Sequence, residues 1–325
     1  MKRLKRYFVM AMAIAVIIVG IRFTQELVDG IKLLGYQPPP DIAAMATKTT
    51  MTDTGRRLFY LNQPTIETRK SSLNLCKSSE QTIVLGCYVT TKGIFLQAVT
   101  DPRLDGVMEV TAAHELLHAA YQRMSLFEQS QLNQKLRSVL AQLTNPRILK
   151  LVDTYNQQDP SSVDSELHSI LGTEVRDLSS DLETYYRQYF TDRSAIVALS
   201  ERYEGVFTAL RNRTKTLNQQ LTSRRSELDR LAAQVKQEVQ GLESERSDLK
   251  AATVSSPHSD YRDRVATFNQ RVQSYNQLVV RLKEQTDTYN QMVTEHNSVA
   301  LEEKSLVESL ENKSTVNGST QSVAN

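Results

Sequence analysis

The strongest constraint on folding lies in the last third of the chain, where apolar residues recur in steps of four and three for many turns. Tyr261, Val265, Phe268, Val272, Tyr275, Val279, Leu282, Thr286, Tyr289, Val293, His296 and Ala300 trace a heptad seam. A strip repeating every seven residues is buried by laying another helix along it. A looser version runs through Phe207, Leu210, Thr214, Leu217, Leu221, Leu228, Leu231 and Val235, and a change of phase near Val239 reads as a stutter. Between the two runs, Thr253-Val-Ser-Ser-Pro257-His-Ser-Asp260 breaks the helix. Two arms of similar length joined by a short turn predict an antiparallel coiled-coil hairpin over residues 196–313, turning near 251–260. Each arm of ~50 residues would reach ~75–80 Å at the α-helical rise. Polar seam positions such as Thr286 and His296 set register in such assemblies, so His296 is given no metal role. The hairpin offers a surface for a protein partner or for self-association, and the tail 314–325 is expected to be disordered.

At the other end, Lys2, Arg3, Lys5 and Arg6 precede an uncharged run from Tyr7 to Ile21 that Arg22 closes. Basic residues ahead of an apolar stretch hold the N-terminus in the cytoplasm. The run is short against the ~20 residues of a spanning helix, but Arg22-Phe-Thr-Gln-Glu26 contains no small-x-small cleavage site. The expectation is an uncleaved transmembrane anchor over 7–23, with residues 1–6 cytoplasmic and the remainder on the outer face of the cell membrane. Residues 24–56 include Pro38-Pro39-Pro40 and read as a juxtamembrane spacer. In an oxidising setting Cys76 and Cys87, the only cysteines, would close a short disulfide loop contributing ~2–3 kcal/mol. Lys and Arg (39) nearly cancel Asp and Glu (37), so no strong field recruits a polyanion, and nucleic-acid binding is set aside.

Order is expected from Arg57. Thr82–Leu85, Cys87–Thr90 and Gly93–Val99 read as strands, with Thr91-Lys-Gly93 as a turn. Helices follow Asp101-Pro-Arg-Leu-Asp-Gly106. The first runs from Val107 to Met124, and the second opens on the capping box Ser125-Leu-Phe-Glu128 and reaches about Leu143. A third begins after Asp159-Pro160-Ser161-Ser162 and stops at Gly172 as a C′ residue. Ser180-Asp-Leu-Glu183 reads as a further capping box, opening a helix with Tyr185, Tyr186 and Tyr189, aromatic residues suited to core packing.

The first of these helices carries Val110-Thr-Ala-Ala-His114-Glu115-Leu-Leu-His118-Ala-Ala-Tyr121. At 3.6 residues per turn His114 and His118 share a face, so both imidazoles can reach one tetrahedral ion. Glu115, one step round, can reach a water on that ion and act as general base. Between Thr111 and Gln122 Glu115 is the only charged residue, so the helix is expected to be buried, where neighbouring histidines without a partner are costly.

This segment resembles the zincin metallopeptidases, and their gluzincin branch in particular, because His114-Glu115-Leu-Leu-His118 is followed by no third histidine at the short metzincin spacing. The resemblance covers residues 57–195. It implies a zinc cofactor, a third ligand from a glutamate on a later helix, and an edge strand that takes the substrate backbone. The candidates for that ligand are Glu166, which falls mid-helix at a fitting distance from His118, then Glu174 and His168. The acidic residue that the family carries four positions after the ligand falls here on Ile170. His168, Tyr121, Tyr185 or Tyr186 could supply an oxyanion donor.

The expectation is therefore an α+β chain: a small, mostly helical zincin-like domain with a short β-sheet over 57–195, an N-terminal transmembrane helix and a C-terminal helical hairpin. Its function would be zinc-dependent hydrolysis of peptide bonds in a peptide or protein substrate, with metal ligands His114, His118 and Glu166 and general base Glu115. The alternative is a non-catalytic membrane-tethered scaffold, or a coiled-coil binding protein, with a structural metal.

Overall fold

The computed structural model describes residues 26–68, 85–252 and 258–310, together with Met12, Thr24 and Cys76. Its helices are α1 (Pro40–Lys48), α2 (Asp53–Leu61), α3 (Val107–Gln122), α4 (Leu126–Leu140), α5 (Pro146–Gln158), α6 (Val163–Glu174), α7 (Ser180–Tyr186), α8 (Arg193–Ala252) and α9 (His258–Leu310). Strands β1 (Thr65–Glu67), β2 (Gly86–Val89) and β3 (Gly93–Gln97) form one sheet in the order β1-β3-β2. The chain divides into a compact unit, up to Val206 and again from Leu306, and a second unit from Phe207 to Ser305.

The fold class expected from the sequence needs correction. The described chain is predominantly helical, with one small sheet and two long C-terminal helices, and no helix among the described residues is long and apolar enough to cross a membrane. The anchor read at 7–23 lies outside the described residues except for Met12. The helical stretch that follows, 26–33, carries Glu26, Asp29 and Lys32, and Asp29 is buried against Arg123. The transmembrane helix, the single-pass topology and the outer-face placement built on it are withdrawn. The strand read at Thr82–Leu85 is outside the described residues but for Leu85, and so is the tail 314–325.

The stretch read as a spacer is part of the core. Pro40 occupies the first turn of α1, where its missing N–H is no loss and its fixed φ suits the helix. Ile42 and Ala46 on α1 and Phe59 on α2 are fully buried. Thr52 caps α2 by accepting from the Gly55 amide. Asn145-Pro146 opens α5, a helix the sequence reading passed over, with the Asn145 side chain accepting from the Arg147 and Ile148 amides. β1, also unforeseen, pairs in parallel with β3 through Thr65, Ile66 and Glu67.

Within the compact unit α3 is the central element, packed against β2, β3 and α6. Gly106, with φ of 99°, turns the chain into it. Val107, Val110, Ala112, Ala113, Leu116, Leu117, Ala119 and Ala120 are all buried. Gly172 does not end its helix: α6 continues to Glu174, and a Cβ on Gly172 would stand 2.4 Å from Leu117 Cδ1 and 2.8 Å from the Tyr186 ring. The glycine is required by close helix crossing, not by a C-terminal turn. The capping box Ser125–Glu128 forms at the start of α4. At α7 the cap is Ser179, one residue earlier than read, and Glu183 binds Arg193 instead.

In the second unit the two arms run antiparallel. Arg213 pairs with Glu295, Arg224 with Gln285, and Arg271 with both Glu238 and Glu245. The stutter expected near Val239 is absent. Covered positions follow an unbroken three-four alternation through Leu217, Leu221, Arg224, Leu228, Leu231, Val235, Glu238, Leu242, Glu245 and Leu249. Glutamates fill two seam places, their stems covering the seam while their carboxylates reach Arg271. In the second arm Tyr261, Phe268, Tyr275, Leu282, Tyr289 and His296 keep their places, but from Tyr275 onward Leu278, Gln285 and Val299 line the seam instead of Val279, Thr286 and Ala300. Val279 is 38% exposed. A helix drifts ~20° per heptad against a strict seven-residue repeat, enough to carry a seam one residue sideways.

Candidate metal centre

His114, His118 and Glu166 meet between α3 and α6, one ligand atom of each lying within 4.8 Å of the others. His114 Nε2 stands 3.1 Å from His118 Nε2, and the Glu166 oxygens lie 3.4 Å and 3.5 Å from the two nitrogens. The one-turn spacing on α3 brings the imidazoles together, and the close α3–α6 crossing brings the carboxylate across. The three side chains are 15–17% exposed.

The three groups shift one another as a coupled histidine–carboxylate cluster. Burial alone would push the Glu166 carboxyl up, but the His118 charge and the approach of both imidazoles hold it well below the usual carboxylate range. Burial alone would push His114 down; the facing Glu166 and the charges of Glu115 and Glu174 outweigh it and raise His114 to about 9. Glu166 Oε2 is buried and makes no well-formed hydrogen bond among the described residues. Oε2 faces His114 Nε2 at 3.4 Å, and a divalent ion between the two imidazoles would engage the lone pairs that this long contact leaves without a close hydrogen bond. Two nitrogen donors and one carboxylate fit such an ion.

Glu115 is nearly buried, at 5% exposure. Burial raises its pKa, opposed by the two histidines, and its carboxylate accepts from the Tyr88 backbone amide. Tyr88 lies on β2, an edge strand of the sheet among the described residues. A Cβ on Gly86 would meet Thr111 Cγ2 at 2.6 Å, so the bare backbone at that point lets β2 lie flat on α3.

The other third-ligand candidates are engaged elsewhere. Glu174 binds Arg147 at 2.6 Å. His168 is fully buried, with Tyr185 Oη 2.9 Å from its Nε2 and its ring stacked on Tyr186. Burial, then the neighbouring imidazole charges, lower it to about 3, so it is neutral. The proposed oxyanion donors are likewise committed: Tyr186 donates to the His168 carbonyl, and Tyr121 donates to Asn133. Two contributors escaped the sequence reading. Ser165 lies against His118, and the Tyr88 amide holds Glu115; a backbone group leaves no trace in sequence. Cys76 and Cys87 are disulfide-bonded, which ties residue 76 to β2.

Comparison with protein families, curated proteins and solved structures finds no match to this chain. The zincin resemblance therefore stands on the motif itself, and the clustering of His114, His118 and Glu166 stands on geometry.

Proposed function

We propose that the protein is a zinc-dependent peptidase. The observation that carries this reading is the meeting of His114, His118 and Glu166, with the buried carboxylate of Glu115 next to His114 on the same helix. Three protein ligands leave a fourth position open, the pattern of catalytic rather than structural zinc. Bound there, zinc supplies Lewis acidity that polarises a scissile carbonyl and makes water acidic near neutral pH.

The remaining work falls to the chain. Glu115 takes a proton from the attacking water as its oxygen bonds to the carbonyl carbon. It then gives that proton to the departing nitrogen as the C–N bond breaks, leaving a carboxylate and an amine. Its raised pKa suits a group that must both accept and return a proton, and the Tyr88 amide fixes one of its oxygens. A second reading, a structural metal site in a binding protein, is favoured by the low exposure of the cluster and of Glu115.

One experiment separates the readings. Purified full-length chain is expected to carry one zinc, measured by mass spectrometry of the metal, and His114→Ala or Glu166→Ala to lose it. Glu115→Gln is expected to keep the zinc while peptide cleavage drops by at least ~100-fold, in line with removal of a general base. Zinc bound without cleavage of any peptide in a broad library would favour the structural reading. No zinc in the wild-type chain would remove both.

A further inference from the structure

Metal ligation by a histidine requires its free nitrogen to be deprotonated and its other nitrogen to carry the proton, usually fixed by a hydrogen bond from that N–H. In the resembled family an acidic residue four positions after the glutamate supports the site, but here that place is Ile170, fully buried and without a polar atom. The described structure offers another group. Ser165 Oγ lies 2.8 Å from His118 Nδ1, on the side of the ring away from the Nε2 that faces His114 and Glu166.

We propose that Ser165 is the positioning residue of the centre, accepting the Nδ1 proton of His118 so that its Nε2 lone pair points at the metal. The inference rests on the metal reading above. The first turn of α6 is built for the task. Asp164 is clamped to α4 by Arg137 at 2.9 Å and by Asn133 at 2.8 Å, Ser165 holds the histidine, and Glu166 joins the cluster. Three consecutive side chains thus fix the helix, the imidazole and the ligand carboxylate. A hydroxyl is a weaker acceptor than a carboxylate, so it sets the ring's tautomer and angle with less increase in basicity than an acid would give.

The test measures zinc affinity of the full chain by competition with a chromogenic chelator, beside the thermal midpoint of the metal-free protein. Ser165→Ala is expected to weaken zinc binding by roughly 10- to 100-fold and to leave the metal-free midpoint unchanged. Ser165→Thr, which keeps the hydroxyl, is expected to restore most of the affinity. Wild-type affinity in Ser165→Ala overturns the proposal while leaving the metal reading intact. Equal loss in both variants, or a metal-free midpoint that falls with the affinity, overturns it in favour of a packing role. A wild-type chain that takes up no zinc overturns the metal reading and this proposal together.

Discussion

Two arginines, one in the compact unit and one in the hairpin, are each gripped by glutamate, and they illustrate how differently the two regions are held together. Arg193 is 4% exposed and spends its guanidinium on Glu183 and on the carbonyls of Leu171, Val175 and Arg176 at the end of α6. Arg271 is 41% exposed and bridges Glu238 and Glu245 across the arms of the hairpin. Buried, such a group satisfies acceptors that water cannot reach, and its loss strands them. In solvent the same geometry competes with hydration and is worth little, so its use is to set register. The compact unit depends on the completeness of its polar pairing, and the hairpin on the length of its seam.

The largest expected effect follows from this contrast. Arg193→Ala is expected to destabilise the compact unit by ~3–5 kcal/mol, measured by chemical denaturation, because it leaves the carbonyls of Leu171, Val175 and Arg176 without their donor and takes the buried cation from the partly exposed Glu183. Next comes Gly172→Ala. Its new Cβ would press on Leu117 and Tyr186, costing ~1–3 kcal/mol as overpacking. Because the α3–α6 separation sets the Glu166 position, this variant is also expected to bind zinc more weakly, by chelator competition. Unaltered affinity would show that the crossing does not govern the centre. Smallest is Arg271→Ala, whose denaturation midpoint is expected to coincide with that of the unsubstituted chain. A loss comparable to that of Arg193→Ala would break the contrast between the regions.

The legible parts of the sequence were those written in local periodicity. The heptads announced two long helices. The interval between His114 and His118 put two imidazoles on one helical face. The capping box Ser125–Glu128 marked the start of α4. Misreadings arose where one residue type serves two physical ends. Pro40 was read as part of a spacer and is a helix start, and Gly172 was read as a terminus and is a contact. Glu238 and Glu245 were not counted as seam residues, and the apparent stutter came from leaving them out. The basic-apolar N-terminal run suggested a membrane crossing that no described helix is long and apolar enough to make.

The sequence by itself determined the helical pitch on which the two histidines coincide and the repeat that obliges the C-terminal arms to pair, because both are properties of a few consecutive turns. Only the tertiary structure decided which later side chain faces the imidazoles. Arg147 holds Glu174 and the tyrosines enclose His168, while Glu166 comes across. That outcome depends on how closely α3 and α6 cross at Gly172, a distance set by packing between residues far apart in the chain.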